Sequence, residues 1–410
     1  MNNTTTYDIA IIGGGPVGAS LALALRDSGL SICVLEARKP ENINPDPRAL
    51  ALSYGSRLLL ERLGVWNEIP QVSGIRTIHI SQKNSLGRAV LQAAEMKVPE
   101  LGYVLPYYAL HGALQSALSC AVAPPSPPAP LPLAGEGGLQ AGRGKFSYLT
   151  GAAVTELNSE VNSARITFQH DGTEHTLNAR LAVVADGGKL LEAAHPPEIT
   201  DYGQSAIIAH ITCAYPKADT AFERFTAQGP VALLPYMGGY ELVWTASHET
   251  AQEMLQWDEA TFLAQLHQHF GDRVGEFLSV GARTCFLLRL KRTPQTTLPH
   301  TVLLGNAAQT LHPVAGQGFN MGLRDAWELA QEILHCAPET LGSATMLAAY
   351  KKSRQLDRNA GIRFTDGLVR LFSNDLPLLS AARAASLSLL DNLPLAKNFI
   401  AKRMMFGANG

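Results

Sequence analysis

Three glycines near the start of the chain have the spacing of a phosphate-binding turn. Gly13, Gly15 and Gly18 satisfy G-x-G-x-x-G and follow the short apolar run 8–12. In such a turn the first glycine permits the sharp change of direction, the second lets a pyrophosphate approach the backbone, and the third lets the helix pack closely on the strand. The N–H groups and positive dipole end of the helix then face the phosphates. The pattern predicts a dinucleotide site.

Glu36 supplies the second part of this site. It follows the apolar run 31–35, which is typical of the next strand in a parallel sheet. A carboxylate there can accept hydrogen bonds from a ribose diol, and it disfavours a nucleotide with a 2′-phosphate. The alternative, a glycine-rich turn beside a surface glutamate, fits this order of strand, turn, helix, strand and carboxylate less well. We therefore expect an adenosine diphosphate moiety to bind here.

Two later transitions from strand to loop carry polar residues. The apolar run 182–185 ends in Asp186 and Gly187. The run 301–304 ends in Gly305 and Asn306, and the chain then passes through residues 312–320 into a helix predicted from about residue 321 to 336. Three motifs thus follow one another in order over nearly the whole chain.

In these ordered motifs the chain resembles the class A flavoprotein aromatic hydroxylases of the p-hydroxybenzoate hydroxylase type. Within that class it is most similar to the ubiquinone-biosynthesis hydroxylases, and among them to the branch that acts on 2-polyprenyl-6-methoxyphenol. The narrower resemblance rests on residues 221–226 (AFERFT), 229–235 (GPVALLP), 305–320 and 357–359 (DRN). Asn306 stands where the wider class has aspartate, an exchange found in the ubiquinone branch. The residues after Gly187 lack the serine and distal arginine that are usual there.

The resemblance implies that the dinucleotide is FAD and assigns its contacts. Glu36 would hold the adenosine ribose, Val154 would offer backbone contacts to adenine, and Arg48 would touch the ribityl or pyrophosphate part. Asp186, Gly187 and Asn306 would serve the pyrophosphate region, and the first two would also serve NAD(P)H binding. The pyrimidine end of the flavin would be lined by Gly316, Gln317, Gly318, Phe319 and Asn320.

Elementary electrostatics supports the last of these assignments. Reduced flavin carries negative charge near N1 and C2=O, and backbone N–H groups at the start of a helix can stabilise it. Gln317 and Asn320 can at the same time be helix caps. His312 and Pro313 are the candidate catalytic residues beside the reactive edge of the flavin, with a structural turn as the equal alternative for His312.

The resemblance also implies a reaction. NAD(P)H reduces the bound FAD, the reduced flavin captures O2, and a C4a-hydroperoxide delivers OH to an electron-rich, lipophilic phenol, while the protein orients the ring and excludes water. The residues show no pattern typical of a metal site or of a Ser-His-Asp triad. Two alternatives stay open: a hydroxylase of a small soluble aromatic compound, and a non-catalytic, FAD-bearing subunit of a quinone-biosynthesis complex.

The elements that position these residues divide into three parts. We predict an α/β fold with a Rossmann-like FAD-binding domain in residues 1–75, 100–200 and 290–345, interrupted by a proline- and glycine-rich insertion at about 123–145. An interleaved substrate domain with an antiparallel sheet would comprise residues 76–99 and 201–289, with a hairpin turn at Gly238-Gly239. Residues 346–410 would form C-terminal helices. Residues 19–28 are expected to form the first helix, and residues 149–157 one strand.

Composition limits the remaining possibilities. The formal net charge of −2 gives no electrostatic reason to expect nucleic acid binding. The five cysteines are scattered, as reduced thiols are in cytosolic proteins. Neither a secretory signal nor a spanning apolar run is visible. We therefore expect a cytoplasmic protein, either free or peripheral on the inner face of the membrane, and an oligomer is compatible with the sequence. Residues 364–406 mix apolar and basic side chains, and would lie on a membrane, dock a partner protein of quinone biosynthesis, or pack on the FAD domain.

Overall fold

The computed structural model describes residues 5–39, 46, 48–85, 87–122, 145–312, 316–372 and 377–409. Residues 123–144, which make up nearly all of the predicted insertion, and Pro313 lie outside the described residues. The α-helices of the described chain are α1 (Pro16–Leu25), α2 (Tyr54–Arg62), α3 (Ala93–Met96), α4 (Tyr107–Val122), α5 (His248–Gln256), α6 (Glu259–Phe270), α7 (Gln317–His335), α8 (Ala344–Phe372), α9 (Pro377–Asn392) and α10 (Pro394–Phe406).

The strands of the described chain build three sheets. In chain order they are β1 (Thr5–Ile12), β2 (Ile32–Glu36), β3 (Ala49–Ser53), β4 (Ser73–Ile75), β5 (Thr77–Gln82), β6 (Arg88–Gln92), β7 (Gly102–Pro106), β8 (Phe146–Thr150), β9 (Ala153–Ser159), β10 (Ala164–His170), β11 (Thr173–Val184), β12 (Glu198–Cys213), β13 (Thr220–Thr226), β14 (Gly229–Tyr236), β15 (Gly239–Ser247), β16 (Phe277–Val280), β17 (Thr284–Arg292), β18 (Thr297–Leu298), β19 (Thr301–Leu303) and β20 (Gln309–Thr310).

The first sheet has the strand order β18-β19-β11-β1-β2-β8, and β10 and β9 are joined to β11. Its central strands run parallel, β11 beside β1, β1 beside β2 and β2 beside β8. Strand β2 and the second halves of β1 and β11 are mainly apolar and buried, because both faces of the sheet are covered there. Helices α1, α4 and α7 pack on one face, and the hairpin of β9 and β10 packs on the other. This arrangement confirms the predicted Rossmann-like fold.

The first helix begins earlier than its alanine- and leucine-rich stretch predicts. The predicted helix spans residues 19–28, whereas α1 runs from Pro16 to Leu25. Gly15 is its extended N-cap and Pro16 its first residue, a position at which the fixed φ of proline suits a helix. The apolar pattern marks the buried part of a helix, and the chemistry of the cap sets where the helix starts.

The second sheet has the order β20-β17-β12-β15-β14-β13-β5-β6 and is antiparallel except where β5 lies beside β13. It confirms the antiparallel sheet of the predicted fold, and β5 and β6 bring residues 77–92 into it. Helices α5 and α6 cover one of its faces, where Trp244 and Phe262 lie in the hydrophobic core. The boundaries between the two domains stay a prediction.

Two local predictions are wrong in detail. The hairpin turn between β14 and β15 consists of Met237 and Gly238, because Gly239 already pairs with Tyr236. Met237 and Gly238 both have positive φ, 48° and 78°, as a two-residue turn with the twist of its strands requires. The predicted strand 149–157 is broken into β8 and β9 at Gly151, whose φ is 72°.

The C-terminal helices pack on the rest of the molecule. Helix α8 contacts α7, α9 contacts β6, and α10 contacts α2 and α3. Four large apolar side chains near the junction of α9 and α10 are exposed, Leu389, Leu393, Leu395 and Phe399. Among the described helices, none combines the length and the apolar character needed to cross a bilayer. Contact of this region with a membrane or a partner stays a prediction.

Candidate active site

The glycine turn after β1 has two closely packed positions and one open position. A side chain at Gly13 would place its Cβ 2.6 Å from the carbonyl oxygen of Ala185, and one at Gly18 would overlap the carbonyl oxygen of Gly13. At Gly15, by contrast, none of the residues that the structure describes, its chain neighbours aside, has an atom within 4 Å of the position of a Cβ. Helix α1 begins there without a side-chain cap. The open space before a helix N-terminus fits the pyrophosphate of FAD.

Glu36 is buried at the end of β2 with its carboxylate directed at this turn. Its Oε2 accepts the N–H of Gly14 at 2.8 Å, and its Oε1 accepts the backbone N–H of Arg38 at 3.0 Å and its Nε at 2.8 Å. A carboxylate has about four acceptor positions, so capacity for a ribose hydroxyl remains. The structure therefore fits the predicted role of Glu36, and it adds Arg38, which the sequence analysis missed.

Helix α4 supplies a second group of residues that the sequence analysis missed. The Nε2 of Gln115 donates to the carbonyl oxygen of Gly14 at 2.6 Å, and the hydroxyl of Tyr148 donates to its Oε1. His111, one turn earlier on α4, is buried, and this burial lowers its pKa. The signal in the sequence was a pair of polar residues four apart on the apolar face of the helix. Their contacts hold the glycine turn in place.

The Asp186 motif lies against the same turn. The position of a Cβ on Gly13 is 2.9 Å from the backbone nitrogen of Asp186. The carboxylate of Asp186 accepts the N–H groups of Gly188 at 2.7 Å and Leu190 at 3.0 Å, and thus caps the turn that follows β11. Gly187 is exposed, with a φ of 86°. The backbone of this motif borders the glycine turn, whereas the Asp186 side chain organises its own loop.

The third motif reaches the glycine turn through Val17. A Cβ on Gly305 would lie 3.2 Å from a methyl group of Val17, and a Cβ on Gly322 in α7 would lie 2.9 Å from the same methyl group. Asn306 is exposed in the short turn Gly305–Ala307. The first residue of α7, Gln317, lies about 7.5 Å along the helix axis from Gly322, at 1.5 Å per residue. The early turn and the late helix start therefore border one elongated region, as FAD requires.

The start of α7 has a glycine in the left-handed conformation, followed by a glycine with few close neighbours among the described residues. Gly316 is its N-cap in the left-handed conformation, with a φ of 59°, and no side chain caps the helix there. Among the described residues outside its own helix turn, a Cβ on Gly318 would meet the Cβ of Leu311 alone, at 4.0 Å. Gln317 is buried and its Nε2 donates to the carbonyl oxygen of Met404 at 3.3 Å. Phe319 is half-buried against the core of the first sheet.

Asn320 is 2% exposed, and its side chain makes four hydrogen bonds inside the protein. Its Oδ1 accepts the N–H of Ser53 at 2.8 Å and the hydroxyl of Ser56 at 2.6 Å. Its Nδ2 donates to the carbonyl oxygens of Ala51 at 3.0 Å and Gly316 at 2.6 Å. The amide is thus fully used in joining β3 and α2 to the start of α7. A contact between Asn320 and flavin would come from its backbone.

We expect Asn320→Ala to reduce the free energy of unfolding by about 2 kcal/mol or more, because it leaves buried polar groups without partners at about 1–3 kcal/mol each. Denaturant unfolding of the purified protein measures this. The matched control is Asn392→Ala, since Asn392 is exposed and makes one hydrogen bond, to the carbonyl oxygen of Ser388; it should change stability by less than about 0.5 kcal/mol. Equal losses in the two variants would contradict the positioning role.

Arg48 and Val154 lie on either side of this region. The guanidinium of Arg48 pairs with the carboxylate of Asp46 and lies 5.0 Å from the centre of the Phe286 ring, which belongs to the second sheet. Val154 is near the start of β9, two residues after Ala152, whose N–H donates to the carbonyl oxygen of Glu36 at 2.9 Å. Val154 is therefore near the ribose-binding end, and Arg48 is near the boundary of the two sheets.

His312 is 1% exposed, and this burial lowers its pKa to about 4. Its ring meets that of Tyr202 edge-on, with the ring centres 5.5 Å apart, and the hydroxyl of Tyr202 donates to Asp366 on α8 at 3.1 Å. The imidazole is therefore neutral at neutral pH. A neutral, enclosed histidine suits a structural role, and its predicted catalytic role stays a prediction.

The comparisons with known proteins agree with this geometry. Residues 6–117 and 140–365 match the FAD binding domain family, which is more than half of the chain. The chain belongs to this family. FAD is its cofactor, and the predicted FAD-dependent monooxygenase class is confirmed. Residues 118–139, between the two matched stretches, overlap the predicted insertion.

Two relatives are similar over nearly their whole length. The ubiquinone hydroxylase UbiL of Rhodospirillum rubrum is 31% identical, with 97% of this chain and 89% of that protein covered. The 3-demethoxyubiquinol 3-hydroxylase of Escherichia coli is 29% identical, with 93% and 94% covered. The similarity therefore includes the second sheet as well as the dinucleotide site, and it confirms the resemblance to the ubiquinone-biosynthesis hydroxylases.

A solved structure shows the same fold. The p-nitrophenol 4-monooxygenase PnpA of Pseudomonas putida matches with a TM-score of 0.75 at 16% sequence identity, over 98% of this chain and 99% of that one. At this identity the likeness concerns the fold alone. It confirms the predicted combination of a Rossmann-like FAD domain with an antiparallel sheet.

Proposed function

We propose that the protein hydroxylates the aromatic ring of a polyprenyl-phenol intermediate in ubiquinone biosynthesis, with NAD(P)H as the electron donor and O2 as the co-substrate. The observation that carries this proposal is the similarity to ubiquinone-type hydroxylases along both sheets. The similarity covers the second sheet as well as the FAD domain, whereas similarity limited to the FAD domain would support only the cofactor.

The second sheet supports a lipophilic substrate. The face of this sheet opposite α5 and α6 carries apolar side chains. These side chains pack in clusters with residues of β3 and α8. Side chains on this face include Ile80, Ala221, Phe225 and Leu234. An apolar surface of this kind can hold a phenol ring with a prenyl tail and exclude water from it.

Residues of the first sheet and of α7 would hold the cofactor beside this apolar face. The glycine turn and Glu36 would bind the adenosine diphosphate part, and the backbone N–H groups at the start of α7 would face the pyrimidine end of the flavin. When bound, FAD supplies the redox chemistry, which consists of accepting reducing equivalents and activating O2. The protein contributes orientation of the ring, exclusion of water and backbone dipoles.

The test is to remove the protein from its cell and to analyse the quinone intermediates by mass spectrometry. We expect a polyprenyl-phenol that lacks one ring hydroxyl to accumulate and ubiquinone to fall. The purified, yellow protein should then add one oxygen atom to that intermediate with NAD(P)H and O2. Unchanged quinones, or hydroxylation of small soluble phenols alone, would contradict the proposal. NAD(P)H oxidation that the phenol does not stimulate would favour a non-catalytic subunit.

A further inference from the structure

Glu223 is an acidic residue in the middle of a strand of the second sheet. It belongs to β13, where its pairing partner on β14 is Ala232 and its partner on β5 is Ile80. Successive side chains of a strand point to opposite faces. Its neighbours Phe222 and Arg224 face α6: the ring of Phe222 meets that of Phe270, and the Nε of Arg224 donates to the carbonyl oxygen of His269 at 3.1 Å. Glu223 therefore points to the opposite face, the one without α5 and α6.

Two hydrophobic clusters flank Glu223 on that face. Ala221, two residues before it, packs in a cluster with Ala49, the residue after Arg48. Phe225, two residues after it, packs in a cluster with Tyr202, whose ring contacts His312. One flank of Glu223 thus leads to β3, which follows the predicted FAD contact Arg48, and the other leads to His312. This places Glu223 between the residue after Arg48 and the ring that contacts His312, on a face that α8 and α9 cover at its Phe225 flank.

The surroundings of Glu223 are apolar. Burial raises its pKa to about 7, and no charged neighbour contributes to the shift. The residue nevertheless keeps some accessible surface. A partly accessible carboxyl whose pKa burial raises to about 7 is suited to accept a proton near neutral pH.

We propose that Glu223 is a catalytic residue that accepts the proton of the phenolic hydroxyl of the substrate. This rests on the proposed function, because it requires a phenol on the apolar face of the second sheet. Glu223 belongs to residues 221–226 (AFERFT), one of the stretches on which the narrower resemblance rests.

The proton transfer balances without any further reactant. As the ring gives electron density to the incoming oxygen, its hydroxyl becomes strongly acidic. The O–H bond then breaks, its electron pair stays on the ring oxygen, and the proton forms an O–H bond with the carboxylate of Glu223. Solvent takes this proton when the product leaves. An ionised Glu223 therefore favours hydroxylation, and product formation should rise with pH through about 7.

Other titratable groups face the same region and must be separated from Glu223. Glu241 on β15 is buried opposite His210; burial raises its pKa to about 7, although the N–H of Ala49 partly offsets this as a donor. Burial lowers the pKa values of His210 and His312, so both are neutral near pH 7. Asp366 on α8 is engaged by Tyr202 and Arg370. Glu241 is thus the group that could be confused with Glu223.

The experiment compares Glu223→Gln, Glu223→Asp and Glu241→Gln with the unchanged protein. Each is purified with its FAD, and the hydroxylated polyprenyl-phenol formed and the NAD(P)H consumed are measured from pH 5.5 to 8.5. We expect Glu223→Gln to retain FAD and to oxidise NAD(P)H, but to form product about 100-fold more slowly, within the usual range for loss of a general base. Its rate of product formation should also no longer increase with pH near pH 7. Glu223→Asp should keep the rise at a lower rate, and Glu241→Gln should keep it as well.

The possible outcomes separate this inference from the proposed function. If the unchanged protein does not hydroxylate the phenol, both fall together. If it does, but Glu223→Gln forms product at the same rate, Glu223 is not the base. A rise near pH 7 that disappears in Glu241→Gln and persists in Glu223→Gln transfers the role to Glu241. Should Glu223→Gln lose its FAD, the pH profiles of the unchanged protein and of Glu223→Asp decide, and a flat profile in both overturns the inference.

Discussion

The Gly15→Val variant is expected to fold normally and to purify without FAD. Apart from its chain neighbours, no described residue has an atom within 4 Å of the position of a Cβ on Gly15, so the described fold tolerates a side chain there. Gly15 also has a φ of −63°, which other residues adopt readily. The branched side chain would occupy the space in front of α1 through which the pyrophosphate must approach the backbone. Flavin absorbance per protein, together with circular dichroism, measures both parts of the prediction.

The matched control is Gly18→Val, three residues further on. Its Cβ would overlap the carbonyl oxygen of Gly13 and would come within 3.2 Å of Ile11. Helix and strand would have to separate there, so we expect loss of folded protein rather than loss of flavin from folded protein. A yellow Gly15→Val protein with a full complement of FAD would show that the cofactor does not approach α1 as we propose.

The sequence predicts the FAD domain well because its signals are local. Gly13, Gly18 and Glu36 stand within one βαβ unit, and their spacing reflects short-range contacts of a turn, a helix and a strand. The order of the three motifs then predicts the fold class. The apolar stretch predicts a start of α1 at residue 19, three residues after the observed start at Pro16, because a buried apolar stretch does not reveal the helix cap.

The site was harder to predict where it depends on contacts between distant segments. Asn320 looks like a flavin contact or a helix cap, and the structure shows an amide that joins β3 and α2 to the start of α7. Gln115 reaches Gly14 across 101 positions of the chain. The sequence shows that residue 223 is acidic, but the face of the sheet to which its side chain points depends on the register of β13. Register is a tertiary property.

A buried network of charges links α7, α8 and the C-terminal end of the described chain. The Nε of Arg354 donates to Asp325 at 2.8 Å, and its guanidinium also pairs with Asp357 at 2.8 Å. Asp357 in turn accepts the Nε of Arg324 at 2.9 Å and the backbone N–H of Ala408 at 2.8 Å. Each of these distances lies in the range of a charge-assisted hydrogen bond. Asp357, part of the DRN stretch of the resemblance, thus has a structural role.

The Arg354→Met variant should lose about 3–5 kcal/mol of its free energy of unfolding, because it leaves two buried carboxylates short of a partner. Arg354, Asp325 and Asp357 are 5%, 4% and 5% exposed, so water cannot replace the missing guanidinium. Methionine has the helix propensity of arginine and replaces its aliphatic stem, so the loss reports mainly the missing guanidinium. Denaturant unfolding measures it. Arg165→Met is the control, since the Arg165 side chain is 51% exposed in its pair with Glu160; it should change stability by less than about 1 kcal/mol.

The pH dependence of unfolding gives an independent check on the same network. Burial opposes ionisation of Asp357, but Arg324 and Arg354 outweigh it and hold its pKa below the usual value. Its ionisation therefore stabilises the folded protein above the unfolded pKa of about 3.9, and this contribution is lost as the pH falls through the lower, folded value. Removing Arg354 should raise the pKa of Asp357 and move this acid transition to higher pH. If acid unfolding of Arg354→Met follows that of the unchanged protein, Arg324 alone is enough to hold the charge of Asp357.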